Sequence, residues 1–341
     1  MLDFSCDYNN GAHPYVLERL IATNGDTTAT YGTDVYCASA ADKIREACCL
    51  PEASVYFICG GTQTNLVVIS SLLRTYEGVI SAATGHINCH EAGAVEATGH
   101  KVLTLPHRAG KIDPDELSAY LKTFYADGSR DHMVFPRMVY LSYPTEYGTV
   151  YKKDELVKIR RICDEYGLYL FVDGARLGYG LMCDECDTDL PTLSSLCDVM
   201  YIGGTKIGAL CGEAVVFRKE ADPGHFMTHV KQRGAMLAKG RLLGVQFDAL
   251  FTDGLYFKIS KNAIDQAKKL KSAFQEHGYR LFIDSPTNQQ FVIMENVALL
   301  RLSEKVRFEV WEPYDGSHTV VRFVTSWRTA DKEIEELAGM L

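Results

Sequence analysis

Apolar residues come in short unbroken runs through the first two thirds of the chain, and at helical spacing through much of the last third. Seven runs of β-branched and aromatic residues, 54–59, 79–82, 101–105, 138–142, 168–172, 199–202 and 214–217, have strand length. They are largely apolar rather than alternating, the pattern of strands covered on both faces. Amphipathic stretches lie between most of them. Residues 152–167 set Leu156, Ile159 and Cys163 at helical spacing and end in Gly167, a C-cap signal. Strands alternating with helices predict an α/β domain around a mostly parallel seven-stranded sheet. Beyond about residue 225 the pattern predicts long helical segments over 229–251 and 255–279, strands within 289–295, 306–312 and 319–327, and a final helix over 330–341. This is a smaller C-terminal α+β domain. The division is expected at 245/246, giving a large domain of residues 1–245 that includes the N-terminal segment, and a small one of 246–341.

Charge narrows the choice of partners. Lys and Arg number 35 against 44 Asp and Glu, a net charge of −9, and the basic residues are scattered, which excludes a nucleic-acid footprint. The first ten residues lack the basic and apolar regions of a signal peptide, and no run of about 18 apolar residues suggests a membrane span. Eleven cysteines, an odd number in a chain too large to need disulfides, point to a reducing cytoplasm. Cys183 and Cys186 have metal-ligand spacing, but a metal site needs two further ligands and no second such pair exists. No metal is expected.

In open α/β sheets ligands gather at the carboxyl ends of the strands. Gly60-Gly61-Thr62 follows the first run and opens a helix, an arrangement that suits a phosphate or a simple capped turn equally. Asp173 follows the fifth run, with Arg176 three residues on; it suits either a ligand cation or a turn cap. Lys206 sits among glycines after the sixth run; it suits either an ordinary loop lysine or an amine whose lost solvation lowers its pKa and readies it for a Schiff base. The glycines are expected to let the backbone pass close to a cofactor. His86 and His90 lie four apart at the start of a predicted helix, on one face. A zinc site of the zincin type needs Glu after the first His, and Ile87 is there; stacking of His86 on an aromatic cofactor fits better.

Eight segments in order, "DYNNGAHPYVLERL", "TYGTDVY", "GGTQTN", "GHINCHEAGA", "VDGARL", "GGTKIGA", "VKQRGAMLAKG" and "VVRFVTSW", resemble the low-specificity L-threonine aldolases of the β-eliminating lyase superfamily over nearly the whole chain. The resemblance implies the aspartate-aminotransferase fold (type I) and pyridoxal 5'-phosphate (PLP) as cofactor. It implies Lys206 as the Schiff-base lysine, Asp173 at the pyridine nitrogen, His86 stacked on the ring, and Gly60, Gly61 and Thr62 at the phosphate. It further implies Arg176 and Arg322 as a clamp on the substrate carboxylate. Tyr31 and the Lys231 segment would reach a neighbouring subunit's site, in at least a dimer and commonly a tetramer. Three departures bear on substrate range: Cys59 and Gly60 where relatives carry a phosphate-loop Ser, Cys6 at a carboxylate-binding position that is often Ser, and His90 where an aromatic residue is common.

The implied reaction is retro-aldol cleavage of L-threonine and L-allo-threonine to glycine and acetaldehyde. His86, His90, a bound water or, more faintly, His132 is the base. The alternatives are PLP-dependent β-elimination or racemisation on the same scaffold, and a non-catalytic PLP-binding protein.

Overall fold

The protein is described by a computed structural model covering residues 1–341. All seven expected runs form strands of one sheet: β1 (Ser54–Ile58), β2 (Glu77–Ala82), β3 (Val102–Leu105), β4 (Phe135–Ser142), β5 (Tyr169–Gly174), β6 (Val199–Gly203) and β7 (Glu213–Phe217). Their order is β1-β7-β6-β5-β4-β2-β3. The pairs from β6 through β5, β4 and β2 to β3 are parallel, and β7 runs antiparallel to both β1 and β6. The start of β7 therefore lies at the same sheet edge as the ends of β1 and β6, and Glu213 stands in register with both Ile58 and Gly203.

Both faces of the sheet are buried, as the unbroken apolar runs require. Leu170, Val172, Met200, Ile202, Ala214 and Val216 pack into one core, and Tyr140, Phe171, Tyr201, Val215 and Phe217 into another on the opposite face. Side chains alternate along a strand, so Asp173 and Glu213 emerge on the face of Phe171 and Val215. Tyr201, opposite Asp173 in register, shares that face.

The smaller sheet has strands β8 (Arg280–Ile283), β9 (Gln289–Glu295), β10 (Glu309–Pro313) and β11 (His318–Val324), in the order β10-β11-β9-β8. Leu270 and Phe274 of the helix Leu255–Glu276 pack against Val292, Met294, Val321 and Phe323 beneath it. No helix is long and apolar enough to cross a membrane.

Three details differ from the sequence pattern. The segment 229–251 is two helices, Phe226–Gln232 and Arg241–Phe251: Gly234 turns left-handed at φ +70°, and Ala235 N–H closes back on the Val230 carbonyl at 2.9 Å. Residue 245 thus falls inside a helix. The run 306–312 is likewise split. Val306–Arg307 pairs with Leu2–Asp3, and Leu2 and Phe4 are buried in the small-domain core, so the first residues join the small unit rather than the large one. The helix expected from His86 is a single turn, His86–Cys89, capped by His90.

Candidate active site

The carboxyl ends of β1, β4, β5 and β6, with the start of β7, enclose a cavity of about 200 Å³ lined by Gly60, Gly61, Thr62, His86, Glu146, Asp173, Arg176, Lys206 and Glu213, among others. Four separated sequence signals therefore converge. Gly60 is the N-cap of the helix Gly61–Leu72, whose free N–H groups open onto the cavity and suit an anion.

Asp173 is buried, yet stays charged. Its Oδ1 accepts the Ala175 N–H at 3.0 Å; its Oδ2 accepts Asn65 Nδ2 at 3.1 Å and the Tyr140 hydroxyl. Burial works to raise its pKa, and the His86 imidazole with the Tyr140 and Tyr201 hydroxyls more than offsets that, holding it below the usual carboxylate value. A buried carboxylate of this kind pairs with a protonated ring nitrogen.

Lys206 Nζ lies over the Tyr8 ring, 5.7 Å from its centroid. Burial, then the Arg176 charge, lowers its pKa against the pull of Asp7, Asp173 and Glu213. An amine with lowered pKa is the nucleophile that an aldehyde needs. The glycine before it answers a different need from the one expected: a Cβ on Gly203 would sit 2.4 Å from the Ala175 carbonyl oxygen. The chain's own β5 turn presses on this loop, and Gly203 is required by that contact. Thr205 Oγ donates to Glu213 Oε1 at 2.8 Å, Gly204 N–H to Oε2 at 3.1 Å, and burial pushes the Glu213 carboxyl up to about 8.

His86 is oriented by a carboxylate that sequence reading passed over. Its Nδ1 lies 2.7 Å from Glu91 Oε1, which also accepts Asn65 Nδ2 at 2.7 Å. The ring is thereby held with Nε2 as its second functional atom. His90 is largely exposed, its ring centroid 5.6 Å from that of His86, and the partial desolvation of the ring, followed by the His86 charge, lowers its pKa. His132 lies at the other end of the sheet. It ends the 3₁₀ turn Arg130–His132 before β4, whereas the cavity is at the far end of that eight-residue strand, about 25 Å away. It is no candidate for the base.

Arg176 lines the cavity, but its fork is already engaged: Nε donates to Asp7 Oδ2 at 2.7 Å and Nη2 to Oδ1 at 2.9 Å. Asn288 Nδ2 adds a third donor to Asp7 at 2.9 Å. Nη1 takes no part in that pair. Arg322, on β11, stands beside the cavity and not on its wall: Nη1 donates to Gln289 Oε1 at 2.7 Å, Nη2 to Glu309, and the guanidinium lies over Trp311 at 5.2 Å. Cys6 lines a separate cleft with Asn10, Ser326 and Arg328. Tyr31 and Lys231 meet each other away from the cavity, with Nζ 5.0 Å from the ring centroid and the ring exposed.

Asp7, Glu91 and Glu146 were not singled out from sequence. Asp7 lies inside a matched segment, and Glu91 directly follows His90; the signal for Glu146 was its place just past β4, a strand end left unread.

The donor set fits a phosphorylated pyridine aldehyde. An open helix N-terminus, a buried carboxylate held ionised, an oriented imidazole and an amine of lowered pKa share one cavity. The buried Asn65 Oδ1 and Glu146 Oε2 have no partner in the chain, which leaves polar capacity for a ligand.

The beta-eliminating lyase family model matches residues 3–297. The low-specificity L-threonine aldolase of Pseudomonas sp. (strain NCIMB 10558) is 32% identical over 98% of this chain and 96% of its own length. That of Pseudomonas aeruginosa is 30% identical over 98% of this chain and 95% of its own. A Leishmania major threonine aldolase structure superposes with a TM-score of 0.96 at 41% identity, covering 99% of this chain and 98% of the other. Thermus thermophilus aspartate aminotransferase, at 15% identity and a TM-score of 0.69 over 99% of this chain and 95% of its own, shares the fold.

Proposed function

The chain belongs to the beta-eliminating lyase family, and from that premise we infer that it is a PLP-dependent aldolase cleaving L-threonine and L-allo-threonine to glycine and acetaldehyde. The observation that carries the reading is the meeting of Lys206, Asp173 and the Gly60–Thr62 helix start in one cavity.

Lys206 would hold the cofactor covalently, Gly60, Gly61 and Thr62 its phosphate, Asp173 its ring nitrogen, and His86 one face of the ring. When bound, the cofactor supplies the sink for the electron pair left on Cα. Asp173, its pKa held low, would keep that ring nitrogen protonated. Arg176 Nη1 is the donor left for the substrate carboxylate once Asp7 has aligned the guanidinium plane. Arg322 would be the second member of that clamp, reached from beside the cavity, where Gln289 and Glu309 hold its guanidinium. Cleavage of Cα–Cβ requires a base for the β-hydroxyl proton. His86, fixed by Glu91, and His90 beside it are the imidazoles at hand, directly or through water. Once the substrate amine has displaced it, the Lys206 amine, its pKa lowered, can carry to Cα the proton that the base has taken, to give glycine.

The test is the purified protein with L-threonine and an aldehyde-linked dehydrogenase. Acetaldehyde is expected from threonine; pyruvate and ammonia from serine without acetaldehyde from threonine would make it a β-eliminating enzyme instead. We also propose at least a dimer, in which Tyr31 and Lys231 serve the neighbouring cavity. Exposed Tyr31, Val35, Leu210 and Leu242 support this reading. Light scattering that returns the 38.0 kDa mass of one chain at micromolar concentration would refute it.

A further inference from the structure

Three carboxyls line the cavity, and two have both oxygens engaged. Asp173 accepts Ala175 N–H on Oδ1, and Asn65 and Tyr140 on Oδ2; Glu213 accepts Thr205 on Oε1 and Gly204 N–H on Oε2. Glu146 is different. Its Oε1 accepts both the His86 N–H at 2.9 Å and Ser142 Oγ at 2.5 Å, while Oε2 is shielded from solvent and has no partner. A carboxylate has two equivalent acceptor oxygens, and burying one of them bare is costly. A neutral carboxylic acid resolves the asymmetry: the carbonyl oxygen takes both donors, and the second oxygen carries a proton for which the chain supplies no acceptor.

The sheet order says which part of a ligand would face that proton. Along the cavity edge the strands run β1, β7, β6, β5, β4. The phosphate grip is at β1, Lys206 follows β6, Asp173 ends β5, and Glu146 lies just past β4. On a pyridine ring held with its nitrogen at Asp173 and its aldehyde carbon toward Lys206, the two flanking substituents point to opposite sides. One is the phosphate arm, directed at β1. The other is the 3-oxygen, directed at β4.

We propose that Glu146 is a neutral acid that donates its Oε2 proton to the 3-oxygen of bound PLP. The proposal rests on the cofactor reading above. The groups around Glu146 are His86 from the single-turn helix, Asp173 from β5, Tyr140 from β4, and Tyr147 and Tyr151 from the loop that follows. Burial raises the Glu146 carboxyl and Asp173 adds to this; the Ser142 hydrogen bond, the residue's own backbone N–H and the His86 charge oppose it. Asp173 is the charged carboxylate of the pair, so the like charge beside it favours Glu146 keeping its proton.

The experiment is an equilibrium PLP titration and a pH titration of the visible absorbance of the lysine-bound cofactor, in wild type, Glu146→Gln and Glu146→Ala. A donor to the 3-oxygen stabilises the deprotonated form of the lysine–cofactor linkage more than the protonated form. Its loss in Glu146→Ala is expected to move the absorbance transition to higher pH and to weaken PLP binding about tenfold. Glu146→Gln keeps an N–H donor on the same side chain, so its transition and affinity should stay within about twofold of wild type. A transition moved to lower pH in either variant means that Glu146 is an anion, and overturns the proposal. So does an unchanged transition in Glu146→Ala. A wild-type protein that shows no lysine-linked absorbance with PLP rejects the cofactor reading itself, which separates the two failures.

Discussion

Lys206→Ala is expected to lower turnover of L-threonine by at least about 10³-fold and to abolish the visible absorbance of lysine-bound cofactor, with the fold intact. The physical reason is that the proposed function gives the amine two tasks that no neighbour can take over. It would form the covalent link and carry a proton, and its pKa is lowered by burial and by the Arg176 charge. Asp7, Asp173 and Glu213 are the groups that pull the other way. The variant removes the amine without disturbing the strand beneath it, because Gly203 and Gly204 set the turn and Ile207 holds it in the core. Turnover and absorbance should be measured together with far-UV circular dichroism. A folded Lys206→Ala protein that keeps wild-type turnover would sink the assignment of this residue.

The largest expected effect on stability belongs to Asp7→Asn. Asp7 is 1% exposed and takes two donors from Arg176 and one from Asn288. Removing one partner of a buried pair leaves the other charge uncompensated, which costs about 3–5 kcal/mol. The pH dependence follows from the direction of the shift. Burial alone would raise the Asp7 carboxyl, but the Arg176 and Lys206 charges and the surrounding donors hold it below its unfolded value. A depressed folded pKa contributes stability that is fully present above the unfolded pKa and is lost as pH falls through the folded one. Urea melts of wild type and variant at one fixed protein concentration should therefore differ most near neutrality, and the gap should narrow below about pH 4. A gap that stays constant from neutral to acid pH would show that the charge of Asp7 contributes nothing.

Much of the large domain was legible because a strand buried on both faces must be apolar along its whole length, and such runs are short, distinct and bounded. The candidate cofactor residues Asp173 and Lys206 stood out only together with the Gly60–Thr62 turn and His86: each lies at the end of a buried strand, and singly each also suits a turn cap or an ordinary loop. The break at 233–240 was hidden because the apolar spacing on either side stays helical in phase across a glycine that ends the helix. The N-terminal strand was hidden because two residues carry no periodicity at all, and their partner lies about 300 positions away.

The amino-acid order by itself determined the α/β class, the seven strands, the family resemblance and the residues whose chemistry suits PLP, because each depends on local pattern or on residue type. Only the tertiary structure decided which acids stand with them. Asp7 meets Arg176 across 169 positions, Glu91 orients His86, and Glu146 lies past β4 with one oxygen bare. The charge state of each group is set by burial and by neighbours brought in from other strands, and neither exists until the sheet has closed.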